Sequence, residues 1–384
     1  MIIRPLVRSL CAGAMVLAAS IGFIAPGVAS PPSDQHRAPR APALPEGLSA
    51  LSWVVADATT GDVLASRAPH MHLPPASTLK TLFALTVLPK LPAEKLHTVS
   101  PADLAGLGAG SSQVGVQEGR AYRVADLWRG VFLRSGGDAV HVLAAMNGGV
   151  QKTIADMRQR AEELGADDTR VMSPDGYDTP GQYSSAYDLA LFGRAGLADP
   201  AFAQYCSTAV ASFPGGVDSD GRVGSSFEIQ NTNRLLTGTT DVDPYPGLIG
   251  IKNGYTTLAG NTLIAAAHRG NRTLIVTVMN PQAGSVYEEA RSLLDWGFAA
   301  DDKVQPVGAL RPAGVNPAVL HRAKANTKPT AEAAPLPAQA PPADGTSHSD
   351  AHAGLMSPIG MAAVGALLVS LVGSLWLLRR RMRR

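Results

Sequence analysis

Two proline- and alanine-rich stretches fix where this 384-residue chain can hold a core. One covers residues 30–46. The other covers residues 311–354 and includes Pro329, Pro335, Pro337, Pro341 and Pro342. Such composition buries little apolar surface and favours extended, semi-rigid chain. A globular body is therefore expected only over residues 47–310, with the second stretch as a stalk. Beyond the linkers lie two apolar segments. Arg4 and Arg8 precede an apolar run over residues 10–25, and Gly27-Val28-Ala29 places small residues at a cleavage position. Residues 1–29 thus read as an export signal peptide. Residues 355–378 carry no charge. As a helix they would be about 36 Å long at 1.5 Å per residue, enough to cross a hydrocarbon core of roughly 30 Å. Arg379, Arg380, Arg381, Arg383 and Arg384 follow, and the positive-inside rule leaves them in the cytoplasm. The expected topology is a single-pass cell-membrane protein with a cytoplasmic tail over residues 379–384 and an extracytoplasmic body.

Composition narrows what the body can be. A hydrophobic fraction of 45% with 17% charged residues excludes global disorder. Two cysteines, Cys11 and Cys206, exclude a disulfide-built scaffold. Of 33 basic and 31 acidic residues, two arginines precede residue 31 and five follow residue 378, leaving 26 basic against 31 acidic groups between them. A body of that sign is no nucleic-acid binder. No H-E-x-x-H or Cys/His metal spacing occurs, so neither metal nor cofactor is expected.

Hydrophobic periodicity sketches the body. Short apolar runs at 52–56 and 62–65 flank Thr59-Thr60-Gly61 as a hairpin. Helical spacing covers 77–88, 124–133, 139–146, 150–164, 187–193 and 285–298. Residues 248–252 read as a strand, and 261–267 with 273–279 as a second hairpin. Strands at both ends with helices between them predict an α/β fold with a mostly antiparallel sheet, flanking helices and a helical subdomain.

Three short motifs carry chemistry. In Ser77-Thr78-Leu79-Lys80, one helical turn puts the hydroxyl and the amine on the same face. Serine needs a base, and a lysine base must be driven neutral by burial or a neighbouring cation. Ser135-Gly136-Gly137-Asp138 reads as a turn between helices. Lys252-Asn253-Gly254 ends the 248–252 strand, where Gly254 allows a ligand close to the backbone. Each alone is weak. In order, they match the S-x-x-K, middle-serine and basic-glycine pattern of penicillin-recognising serine enzymes.

The chain here resembles the D-alanyl-D-alanine carboxypeptidases, or low-molecular-mass penicillin-binding proteins, over about residues 50–300. The resemblance rests on Pro75-Ala76-Ser77-Thr78-Leu79-Lys80, Gly181-Gln182-Tyr183-Ser184-Ser185-Ala186-Tyr187-Asp188, Asn233-Arg234-Leu235-Leu236, Gly250-Ile251-Lys252-Asn253-Gly254-Tyr255-Thr256 and Trp296-Gly297-Phe298. It implies a penicillin-recognising serine transferase fold. It also implies acyl transfer on peptidoglycan stem peptides and inhibition by β-lactam antibiotics. Ser77 would be the nucleophile, Lys80 its base and Ser135 the proton relay. The backbone N–H groups of Ser77 and Tyr255 would form the oxyanion hole. Lys252, Asn253, Gly254, Thr256 and Gly137 would border the substrate, with Lys252 holding its carboxylate and helping to keep Lys80 neutral. Three departures stand out. The family usually has Asn where this chain has Gly137, so an amide is missing unless Asp138 or a neighbour replaces it. Its K-T-G is K-N-G here. The β-rich second domain of many members is expected to be absent.

Other classes fit less well. No histidine lies in the motifs, which disfavours a Ser-His-Asp hydrolase. His70 and His72 read as solvated, His141 as packed on a helix, and Cys206 as a small buried residue. A class A β-lactamase would need a deacylating glutamate, and Glu162 and Glu163 lie on an amphipathic helix. A catalytically weak or inactive homologue that binds peptidoglycan or a wall-synthesis partner is the alternative that Gly137 motivates.

Overall fold

The computed structural model describes residues 41–300 and 303–310. The expected signal peptide, stalk, transmembrane helix and arginine tail lie outside the described residues. Among the described residues no helix is long and apolar enough to cross a membrane.

In chain order, β1 (Ala50–Asp57) and β2 (Asp62–Arg67) form the first hairpin. A 3-10 turn over Ala76–Leu79 runs directly into α1 (Lys80–Val87). β3 (Leu96–Thr98) and β4 (Ala121–Arg123) pair as a small ribbon. Helices α2 (Val124–Arg134), α3 (Gly137–Met146), α4 (Val150–Glu163), α5 (Ala186–Leu197) and α6 (Pro200–Ser207) follow. β5 (Val210–Phe213) and β6 (Phe227–Gln230) make a second ribbon, and α7 (Arg234–Thr237) is a single turn. β7 (Leu248–Thr256), β8 (Gly260–Arg269) and β9 (Arg272–Pro281) lead to α8 (Val286–Ala299) and the short β10 (Gly308–Ala309).

One antiparallel six-stranded sheet, in the order β10-β2-β1-β9-β8-β7, organises the body. Successive side chains of a strand point to opposite faces, and both faces here are buried. Val54, Ala56, Ile264, Ala266 and Ile275 face a core shared with α1, α2, α3 and α5. Trp53, Val55, Leu263, Ala265, Leu274 and Val276 face a core shared with α8. This double burial explains why β8 and β9 read as continuous apolar runs and not as alternation. The two strands close through Gly270-Asn271, with Gly270 at φ +63°, the positive φ that the first position of a tight hairpin turn requires.

The α/β expectation with a largely antiparallel sheet holds, and three details change. The helix expected over 77–88 divides at Lys80 into a 3-10 turn and α1. The strand expected to stop at Lys252 continues to Thr256, because Asn253, Gly254 and Tyr255 pair with Leu263, Thr262 and Asn261. The ribbons β3–β4 and β5–β6 were not foreseen; strands of three or four residues are too short to establish a period.

One buried carboxylate ties the start of β1 to α8. Glu289 on α8 accepts from Ser49 N and Oγ through Oε1 at 2.9 and 2.5 Å, and from Ala50 N through Oε2 at 3.1 Å. Glu289→Ala leaves the Ser49 and Ala50 amides without this acceptor at the edge of the core, while the Ser49 hydroxyl retains Ala283 O at 2.7 Å. We expect a loss of about 2 kcal/mol, read as a fall of several degrees in Tm by calorimetry.

Candidate active site

The residue before the proposed nucleophile has an unusual backbone. Ala76 lies at φ +49°, a conformation that L side chains rarely adopt. The surroundings hold it there. Pro75 O accepts from Thr78 Oγ1 at 2.5 Å and from Thr262 Oγ1 of β8 at 3.0 Å. Two glycines then allow neighbouring backbone to close in. A Cβ on Gly176, at φ +81°, would lie 1.9 Å from Ala76 O. A Cβ on Gly254 would lie 2.6 Å from Ser77 N. The turn containing Gly176 and the edge strand β7 thus clasp the Ser77 backbone from two sides.

Lys80 Nζ donates to Ser77 Oγ at 2.7 Å and to the backbone carbonyl of Asp175 at 2.6 Å. The side chain is buried, and burial pulls its pKa down from the ordinary lysine range to about 8, against the opposing pull of the Asp175 and Asp138 carboxylates. Lys252 is also buried, and its Nζ donates to Asn253 O at 2.8 Å. Burial first, and Lys80 second, hold it well below the ordinary range. Burial is the main cause for Lys80, and the charges of the two buried amines disfavour each other.

Ser77, Lys80, Gly137, Tyr255 and Thr256 meet around one cavity of about 270 Å³, together with Asp175, Tyr177 and Asp178. Asn253 and Gly254 line a larger one of about 660 Å³, with Arg134, Thr232, Arg234 and Tyr287. Tyr255 borders both. Ser135 caps α2 at φ +58°, buried, with a hydroxyl that makes no hydrogen bond among the described residues. Arg134 before it lines the larger cavity and Gly137 after it the smaller. Neither Lys252 nor Ser135 lines either cavity. The Thr256 hydroxyl donates to Asp178 Oδ1 at 2.6 Å, and Asn253 Oδ1 accepts from Thr232 Oγ1 at 3.0 Å.

Asp138 does not stand in for a missing amide at residue 137. Its carboxylate accepts from the backbone amides of Val114, Gly115, Val116 and Ala139 at 2.8–3.1 Å, so it braces the loop beside the cavity. His141 is buried on α3, and Cys206 is buried, both as expected. His70 and His72 are exposed, but each meets the Asp168 carboxylate, at 2.7 and 3.4 Å.

Sequence reasoning missed Asp175, Gly176 and Asp178. Ser173-Pro174-Asp175-Gly176 carries a turn signature, but the group that reaches Lys80 is a main-chain carbonyl, which any residue type supplies. The Gly181–Asp188 motif explains how that turn is held. Gln182 Oε1 accepts from Met172 N and Ser173 N, and its Nε2 donates to Tyr177 O at 2.8 Å. Ser185 caps α5 by accepting from Asp188 N, and Asp188 in turn accepts from Asp168 N and Thr169 Oγ1. Burial raises the Asp188 carboxyl to about 7. The motif scaffolds the site and touches none of its reacting groups.

A sequence model of the D-alanyl-D-alanine carboxypeptidase family matches residues 37–283. The chain belongs to this family. A relative named D-alanyl-D-alanine carboxypeptidase DacB2, from Mycobacterium tuberculosis, is 40% identical over 273 residues, which cover 70% of this chain and 88% of the relative. The Escherichia coli D-alanyl-D-alanine carboxypeptidase DacD is 36% identical; the match covers 67% of this chain and 65% of DacD's length. Among solved structures, a D-alanyl-D-alanine carboxypeptidase from M. tuberculosis aligns with a TM-score of 0.62 and 37% identity, covering 70% of this chain and 97% of that one. The Streptomyces K15 DD-transpeptidase aligns with a TM-score of 0.62 and 27% identity, covering 67% and 99%. The penicillin-binding-protein-like fold expected from the motifs is thus established.

Gly254 gives a direct test of the family site. Gly254→Ala places a methyl group against Ser77 N and pushes β7 away. We expect penicillin acylation of Ser77 to fall roughly hundredfold or more, the scale set by losing one oxyanion donor, as followed by the mass of the covalent adduct.

Proposed function

We propose that the chain is a serine-type D-Ala-D-Ala carboxypeptidase that removes the terminal D-Ala from peptidoglycan stem pentapeptides and is inhibited by β-lactams. The observation that carries this reading is the buried Lys80 amine, with its pKa lowered to about 8, at 2.7 Å from Ser77 Oγ. A neutral amine at that distance can take the serine proton as Oγ attacks the carbonyl between the two D-Ala residues. The backbone N–H groups of Ser77 and Tyr255 are assigned to the developing oxyanion. The proton passes by way of Ser135 to the leaving nitrogen, the C–N bond breaks, and free D-Ala departs. Water then attacks the Ser77 ester and gives a proton to Lys80, which passes it to Ser77 Oγ as the C–Oγ bond breaks and the shortened peptide leaves.

Charge supports an orientation for the substrate. Asp175 and Asp178 border the smaller cavity, whereas Arg134 and Arg234 border the larger. A peptide ending in a carboxylate is favoured with that end towards the arginines. In this reading Asn253 and Gly254 flank the terminal residue, Gly137 and Thr256 flank the acyl part, and Lys252 acts through its field from below the surface. Gly137 is the one observation that favours a catalytically weak, peptidoglycan-binding protein, and the intact Ser77–Lys80 pair weighs against it. We further propose export by residues 1–29, a catalytic domain over residues 47–310, a stalk over 311–354 and a single membrane span over 355–378, on the charge and hydropathy of those segments.

Acylation requires neutral Lys80. The rate of penicillin adduct formation should therefore rise with pH through about 8, where the buried amine loses its proton, and level off above it. Lys80→Ala should form no adduct near neutral pH. Normal acylation of that variant, measured by intact mass, would remove Lys80 as the base.

A further inference from the structure

Gly137 stands where the family usually has asparagine, and the difference uncovers a charge on the cavity wall. A Cβ built on Gly137 would lie 3.4 Å from Asp175 Oδ2, 3.3 Å from Ser112 O and 3.1 Å from Leu107 Cδ1. A longer side chain at 137 would run across that carboxylate oxygen; glycine leaves this flank open. Asp175 is 3% exposed and lines the same cavity as Ser77, Lys80 and Gly137. Its Oδ1 accepts from Tyr177 N at 3.0 Å, while Oδ2 meets no donor among the described residues. A buried carboxylate is costly unless it is paired. An unclaimed oxygen on the wall of a substrate cavity therefore suits a cation brought by the ligand.

We propose that Asp175, aided by the charge of Asp178, selects stem peptides whose third residue, the one before the two D-Ala, carries a side-chain ammonium. The inference rests on the carboxypeptidase reading, with the substrate's terminal carboxylate towards Arg134 and Arg234. That orientation leaves the acyl half, including the third residue, to the smaller cavity. The charge there has one sign. Asp178 is half-buried and lines the cavity too. Its oxygens accept one donor each, from Thr256 Oγ1 and Leu258 N, and neither donor carries a charge. Lys80 is the one cationic side chain among the described residues lining this cavity, and it has to be neutral to act as the base. An ammonium donates three hydrogen bonds and accepts none, so it matches a free carboxylate oxygen where a second carboxylate would be repelled. The receiving group is also held in place beforehand. Tyr177 N fixes Oδ1, and Gln182 Nε2 holds Tyr177 O at 2.8 Å, so little ordering is left for the binding step.

The experiment uses the full chain in detergent near neutral pH, where a lysine side chain on a peptide is charged. Release of D-Ala is followed from Nα-acetyl peptides of the form X-D-Ala-D-Ala, with X as L-lysine, Nε-acetyl-L-lysine or L-glutamate. For wild type we expect kcat/KM for the free lysine peptide to exceed that of its acetylated form roughly tenfold, the scale of one hydrogen bond to a charged group, with the glutamate peptide poorest. Two substitutions remove the preference by different routes. Asp175→Asn takes away the charge and keeps the shape and the main-chain carbonyl. Gly137→Asn keeps the charge and covers Oδ2. In each, the ratio of the lysine to the acetyl-lysine peptide should fall close to one, whatever happens to the absolute rate, because the ratio cancels any damage common to both peptides. Equal cleavage of all the peptides by wild type overturns the inference and leaves the carboxypeptidase reading standing, as does a ratio that survives either substitution. If folded wild type cleaves none of the peptides, the carboxypeptidase reading itself fails, and the inference with it.

Discussion

Everything in this site depends on taking one ammonium group out of water. Lys80 carries a charge that its surroundings do not welcome, and it sits between the Ser77 hydroxyl and the Asp175 carbonyl. Burial costs the charged form far more than the neutral one, so the fold converts desolvation into basicity available near physiological pH. The second buried amine, Lys252, is likewise held below the ordinary lysine range, by burial first and by the charge of Lys80 second. The carboxylates of Asp138 and Asp175 limit how far the shift goes. A base poised near neutrality is the useful compromise, since a lysine pushed much lower would be a feeble proton acceptor.

The rest of the architecture keeps that arrangement from relaxing. The strained Ala76 backbone persists because Pro75 O is tied to Thr78 and Thr262, so the elbow is anchored to the central sheet. Gly176 and Gly254 let two separate backbone segments approach Ser77 closer than any side chain would allow. Gln182, Ser185 and Asp188 hold the turn that delivers the Asp175 carbonyl. The sheet itself is buried on both faces, which makes it a rigid platform, and β7 at its edge carries Lys252, Asn253 and Gly254 past the nucleophile. Glu289 secures the opposite side by pinning the start of β1 to α8.

How much of this was legible in the sequence differs from residue to residue. The Ser77–Lys80 pairing follows from a spacing of three, and it survives the division of the expected helix into a 3-10 turn and α1 because the two conformations nearly coincide over one turn. The meeting of Ser77 with Gly137 and Tyr255, some 60 and 180 residues away, could be expected only from the ordered motifs, since spacing carries no information about such distant contacts. The Gly181–Asp188 motif was visible as a pattern but mute about its work, which is hydrogen bonding to main-chain groups of the neighbouring loop. Asp175 was invisible for the same reason. The burial of Lys252 was hidden because a lysine in a strand gives no sign of which face it lies on, and β7 runs four residues further than its apolar part.

The most direct test of the account is cleavage of a stem pentapeptide ending in D-Ala-D-Ala, with the full chain in detergent and product mass followed for wild type and Ser77→Ala. The account predicts that wild type removes one terminal alanine and that Ser77→Ala leaves the peptide intact. Equal cleavage by both proteins, or an untouched peptide in the presence of folded wild type, would contradict it.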